Sequence, residues 1–195
     1  MHLTTPLTMM GFFRKSEGTW FTQRAVHHFD SVEDESGESN LTIEVLNKND
    51  PRVQEICDSQ GIDPNLATGG ASFAWQVNLD IRELSSGNAA ILVDVPDTEN
   101  TKIGKLIRNQ GYVETIPVVS RYNFTDEGVL TIDTNYDNNQ GQERCWFIND
   151  DFRVRVSSVR MMNGINLMTY CSERRCVSDD TLKQMIEANK QRLRN

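Results

Sequence analysis

The chain has 195 residues, 28 of them acidic and 20 basic, for a formal charge of -8. That length fits one domain with a sizeable core, and the acidic balance argues against a nucleic-acid surface, which needs a concentrated basic footprint. No apolar run approaches bilayer-spanning length, and the first residues lack a charged segment followed by an apolar one, so a soluble protein that is neither membrane-bound nor secreted is expected. The four cysteines, Cys57, Cys145, Cys171 and Cys176, include no CxxC pair. Free thiols and no metal site are the expectation.

Residues 1–10 read as a disordered N-terminal extension. Phe12-Phe13-Arg14-Lys15-Ser16 reads as a short helical turn stopped by Gly18, and residues 20–29 as the first strand. Residues 30–40 are polar, acidic and turn-like. Leu41, Ile43 and Val45 then alternate with Thr42 and Glu44, the period of a half-buried strand. Asp50-Pro51 is a helix cap followed by proline at the first helical position, with Val53, Ile56 and Cys57 as an apolar stripe and Gly61 as the stop. Ala71, Phe73, Trp75, Val77, Leu79 and Ile81 give the strongest period-two signal in the chain. Further strands are predicted over residues 89–95, 115–124, 129–136, 143–148, 152–161 and 165–174, and the later ones are separated by short turn-like breaks such as Asn163-Gly164. Ser178-Asp179-Asp180 caps a final helix over residues 177–195 carrying Leu182, Met185, Ile186 and Leu193. Successive hairpins make a meander, and a long meander closes to lose its edges. The expected fold is therefore mainly β: an antiparallel up-and-down barrel of about eight to ten strands over residues 11–176, with short helices at both ends.

Within that barrel Phe152-Arg153-Val154-Arg155-Val156-Ser157 is a strand with two chemically opposite faces, Arg153, Arg155 and Ser157 on one and the apolar residues on the other. The polar face points either to solvent or into the lumen. Guanidinium groups do not shed their charge, so a lumen pair implies nearby carboxylates, an anionic ligand, or both. Glu143 and Arg144 read either as a solvated pair at a hairpin end or as part of such a site, and Trp146 as core. Of the consecutive His27 and His28, at most one faces the lumen.

Gly18-Thr19-Trp20 resembles the Gly-x-Trp signature of lipocalins and related calycin barrels, which hold one small ligand. A longer ordered string resembles the S-type phycobiliprotein lyases: residues 12–28, Arg108-Asn109-Gln110-Gly111-Tyr112-Val113 and its continuation to Val118, Glu143-Arg144-Cys145-Trp146-Phe147, Arg153-Val154-Arg155-Val156-Ser157 and Tyr170-Cys171-Ser172-Glu173-Arg174. The resemblance implies a calycin barrel that binds a phycobilin, phycoerythrobilin or phycocyanobilin, and attaches it to a cysteine of a phycobiliprotein subunit. It also implies a cytoplasmic or plastid-stroma location and a homodimer or a heterodimer with a related lyase. By similarity, Glu143, Arg153 and Glu173 are the catalytic candidates, and Phe73, Trp75, Arg155 and Ser157 line the bilin pocket. Many members carry a second tryptophan six residues after the first, where this chain has Ile81. The alternatives are a non-catalytic carrier of a bilin or other lipophilic ligand, and a subunit active only in a heterodimer.

Overall fold

The structure, a computed structural model, describes residues 5–30, 34–76, 89–108, 118–136, 139–161 and 164–176. Ten antiparallel strands form a closed barrel: β1 (Gly18–His28), β2 (Glu35–Asn47), β3 (Gly69–Gln76), β4 (Ala89–Pro96), β5 (Ile103–Arg108), β6 (Val118–Phe124), β7 (Leu130–Asn135), β8 (Asn139–Asn149), β9 (Phe152–Met161) and β10 (Gly164–Arg175). Each strand pairs with its sequence neighbours, and β1 also pairs with β10, so the sheet has no free edge. Directly opposed residues share a face. One inward row therefore runs Thr22, Glu173, Arg153, Phe147 across four strands.

One end of the barrel is plugged by α1 (Met9–Ser16). Thr8 caps it, its side-chain oxygen accepting from the Gly11 amide at 3.2 Å. Met9, Met10, Phe12 and Phe13 are buried together with Trp20, Ile43, Ala71, Leu106, Phe124 and Leu130. Phe12 meets Phe147 and Phe124 at ring-centroid distances of 5.2 and 6.1 Å, and Phe13 meets Phe73 at 5.9 Å. The chain then enters β1 through Gly18, whose φ of 111° is a conformation that favours glycine. The expected extension over residues 1–10 is corrected accordingly. Its last two residues belong to the plug, because two methionines beside two phenylalanines bury an amphipathic face against the barrel floor.

The second helix, α2 (Pro51–Ser59), forms as its cap and proline predict, with Asp50 accepting from the Arg52 amide at 2.9 Å. Val53, Ile56 and Cys57 cover Leu46, Val93 and Ile107 on the outside of the wall. Strand β2 starts earlier than its apolar alternation, at Glu35, held by its pairing with β1. Strand β5 was not expected from the sequence at all. Its Leu106 faces the core and the next residue, Ile107, lies under α2, so adjacent residues are apolar and no alternation shows. Gly104 fits there because a Cβ would stand 2.6 Å from the Tyr122 hydroxyl. The predicted continuation of β3 to Ile81, most of the segment from Arg108 to Val118, and the final helix lie outside the described residues.

Candidate functional site

The polar face of β9 points into the barrel. Arg153 lies opposite Phe147 and Glu173, Arg155 opposite Cys145 and Cys171, and Ser157 opposite Glu143 and Thr169. Nearest the plug, Arg153 is buried, donates from Nε to Glu173 and from Nη1 to Ser16 Oγ at 2.9 Å, and stacks over Trp20 at 4.6 Å. Arg175 also stands over the Trp20 ring at 4.3 Å and donates to the carbonyls of Lys15 and Glu17 at the end of α1. The indole N–H donates to the Ser16 carbonyl at 2.7 Å. The Trp20 of the Gly-x-Trp sequence thus ties the plug helix to the charged lumen.

Glu173 is fully buried and is shared by both arginines, with Arg155 Nη2 at 3.1 Å from Oε1 and the Thr22 hydroxyl donating at 3.5 Å. Burial raises a carboxyl's pKa, but Arg155 and Arg153 more than offset it and hold Glu173 below the usual glutamate value. Arg155 is different: a third of its side chain is exposed although it lies on the lumen face. Burial would lower its pKa, yet Glu173 and Glu143 together hold it well above the ordinary arginine value. Glu143 sits 3.4 Å from Arg155 Nη1 and is itself about one-third exposed. The Nε–H of Arg155 is buried with no acceptor among the described residues. A buried guanidinium donor without a partner is a place for an anionic ligand.

The facing wall is apolar. Phe73 pairs with Ile43 and Trp75 with Leu41, all four on the lumen side. Phe73 is in the floor against Phe13, and Trp75 is one step nearer the open end. Among the predicted residues, Arg153, Glu173, Arg155, Glu143 and Ser157 come together on three adjacent strands, and Phe73 and Trp75 stand on β3. Arg144 and Trp146 do not join them. Trp146 pairs with Val154 on the outer face rather than in the core, because the β8 alternation that sends Glu143 and Cys145 inward sends Trp146 out.

Two lumen cations were missed. Arg24 shares the inward face of β1 with Trp20 and Thr22, opposite Cys171, with Glu35 at 3.9 Å and about half its side chain exposed. The β1 alternation from Trp20 already carried that signal. Arg108 lies on the inward face of β5, buried, and donates to the Tyr136 hydroxyl at 2.7 Å. Its strand gave no periodicity to read. Of the two histidines, His28 shares the inward face near the open end, where it meets Glu35 at 3.3 Å, and His27 is outside against Tyr170. Cys145 and Cys171 flank Arg155 as buried free thiols, the first pushed up to about 12 by burial.

A family model described as CpeS-like protein matches residues 8–176. The chain is 61% identical to Chromophore lyase CpcS/CpeS 4 of Trichodesmium erythraeum (strain IMS101), over 97% of this chain and 98% of that protein. It is 48% identical to Chromophore lyase CpcS/CpeS of Synechococcus sp. (strain WH8020), over 95% and 92% of the two chains. Among solved structures it is similar to the S-type phycobiliprotein lyase CPES from Guillardia theta, with a TM-score of 0.72 and 25% identity over 88% of this chain and 94% of that one.

Proposed function

The chain belongs to the CpeS-like protein family, and from that membership and the lumen geometry we propose that it is a chromophore lyase, binding an open-chain tetrapyrrole in the barrel and attaching it to a cysteine of a phycobiliprotein subunit. The observation that carries the reading is Arg155: a lumen guanidinium, part-exposed, with an orphaned Nε–H beside the accessible carboxylate of Glu143. A bilin has propionates for the first and pyrrole N–H groups for the second, and its conjugated body suits the wall of Trp75 and Leu41. Arg24 stands near the open end as a second cation for a propionate. Phe73 closes the floor beneath the ligand, and Ser157, opposite Glu143, adds a hydroxyl.

In the reaction the acceptor's thiol adds across the exocyclic ethylidene double bond. The S–C bond forms, the π bond breaks, and the thiol proton ends on the tetrapyrrole. Before the attack Glu143 accepts hydrogen bonds from the pyrrole N–H groups and so stabilises the protonated, electron-poor bilin, and the thiol proton is taken up as the S–C bond forms. Arg153 and Glu173 hold Arg155 in place from behind. The chain's own lumen thiols do not compete, since Cys145 and Cys171 are buried and both have raised pKa values. Much of the acceleration is orientation, an extended bilin held in a rigid barrel.

The test mixes the protein with phycocyanobilin and with phycoerythrobilin, records visible spectra, and adds an apo-phycobiliprotein subunit before a denaturing zinc-fluorescence gel. A shifted spectrum weakened by Arg155→Ala, followed by covalent transfer, supports the lyase. Binding without transfer overturns it in favour of a carrier, and no binding of either bilin overturns both.

A further inference from the structure

The wall that carries the lumen site has an outer face unlike the rest of this acidic chain. The residues of β9 that alternate with Arg153, Arg155 and Ser157 are Phe152, Val154 and Val156, and all three are part-exposed. The registers set Trp146 beside Val154 and Tyr170 beside Val156. Ile148 and Tyr170 are 52% and 43% exposed. Around this stripe stand Arg144 beside Val156, Arg174 beside Phe152 and over the Phe21 ring, and Arg160 toward the open end. The outer faces of β8, β9 and β10 hold no carboxylate among the described residues. The acids that border this wall are engaged at its margins, Asp133 of β7 by Gln142, and Asp150 and Asp151 of the β8–β9 turn by Lys15 and Arg175.

An apolar stripe rimmed by arginines on a chain of net charge -8 is a local reversal of sign, and it selects its occupant. The chain's own residues 177–195 hold four basic residues (Lys183, Lys190, Arg192, Arg194) against three acidic (Asp179, Asp180, Glu187), so they offer no complementary charge. A second copy docked by this face about a two-fold axis would set arginines against arginines. What complements the wall is an acidic protein surface with an apolar centre. Resting on the lyase reading above, we propose that the outer face of β8, β9 and β10 docks the acceptor phycobiliprotein subunit. The partner then lies on the back of the strand that orients the bilin, with Arg160 marking the edge of the wall at the open end.

The test is the double charge reversal Arg144→Glu/Arg174→Glu, with Val156→Ser as a second variant that changes the stripe and not the charge. Both leave the lumen untouched. Bilin spectra and bilin affinity should match wild type, whereas binding of the bilin-loaded protein to an immobilised apo-subunit and the KM for that subunit should each worsen at least about ten-fold. Wild-type binding should also weaken with added salt, and the charge-reversed variant should lose that slope. Unchanged acceptor binding and salt slope in both variants overturn the proposal. So does a wild-type dimer that the charge reversal dissolves while acceptor binding stays the same. If the wild type binds the subunit but transfers no bilin, the lyase reading fails and the binding data still decide the surface.

Discussion

Glu173→Gln separates shape from charge at the centre of the network. The wild-type carboxylate is fully buried and takes Arg153 Nε, Arg155 Nη2 at 3.1 Å and the Thr22 hydroxyl at 3.5 Å. Glutamine keeps the volume and removes the charge. The amide oxygen can still accept from one arginine, but the amide NH2 now faces the other, and the buried Arg153 loses its counter-charge while a guanidinium does not deprotonate to escape. Breaking a buried pair from one side costs about 3–5 kcal/mol. Arg155 retains Glu143 and partial solvent access, so the lower figure, about 3 kcal/mol, applies. For a chain of this length that corresponds to a fall of roughly 6–12 °C in melting temperature.

The pH dependence has a definite sign. Glu173 has a folded pKa below its unfolded one, so its contribution is complete above the ordinary glutamate pKa of about 4.3 and is lost as pH falls through the folded value. Urea unfolding at pH 7 and in steps below pH 5 measures both effects. The gap between wild type and Glu173→Gln should narrow in acid, and Arg153→Met/Glu173→Leu, which removes charges from both partners, should be less destabilised at pH 7 than Glu173→Gln alone. A Glu173→Gln protein within about 1 kcal/mol of wild type at pH 7, or a gap that persists in acid, refutes the reasoning.

Gly141→Val should narrow the lumen without harming the fold, because among the described residues an added Cβ meets only Tyr136 at 3.8 Å and Thr134 at 4.0 Å; bilin binding falls while the melting temperature holds, and equal losses of both would refute it. Gly104→Ala should do the reverse, costing upward of about 2 kcal/mol in urea unfolding, since the new methyl has the Val95 carbonyl at 2.7 Å as well as the Tyr122 hydroxyl to displace. Ser16→Ala should cost about 1–3 kcal/mol by removing the acceptor of Arg153 Nη1, read as a lower urea midpoint with an unchanged slope. Thiol titration at pH 8 should show one fast equivalent, the exposed Cys176, and four in denaturant; two or more fast equivalents in the native protein would contradict the burial of Cys57, Cys145 and Cys171.

The barrel was legible wherever one face of a strand is apolar and the other is not. Strands β3, β6 and β9 alternate in sequence as they do in space, and Gly164 opens β10 opposite Met161 at the end of β9. The signal fails where the surroundings change. Strand β5 sets Leu106 inward and the next residue, Ile107, outward under α2, so two adjacent apolar residues hide its alternation, and the first half of β2 is polar because its inward residues stand near the open end of the barrel. At the site, spacing alone left Arg153 and Arg155 between solvent and lumen, since alternation says which residues share a face and not which way that face points. The direction comes from closure: Thr22 opposite Glu173 and Glu173 opposite Arg153 put all three on the face that also carries Trp20 and the plug. Arg24 was readable by the same alternation, but only once Trp20 was known to point inward.

Inside the barrel the arginines and glutamates are graded rather than equivalent. At the plug, Arg153 is committed to Ser16, Trp20 and Glu173, with 3% of its side chain exposed. One alternation further along β9, Arg155 still grips Glu173 but keeps an unpartnered Nε–H, a long 3.4 Å contact to Glu143 and a third of its surface open. One more step brings Ser157 opposite Glu143, and beyond it the open end begins. Hydrogen-bonding capacity left for a ligand therefore rises along the strand as structural commitment falls. That gradient is why a change at Glu173 or Arg153 should first appear in stability and a change at Arg155 or Glu143 first in bilin binding. The outward side chains of the same strand, Val154 and Val156, are free to serve a third task because alternation keeps them out of both.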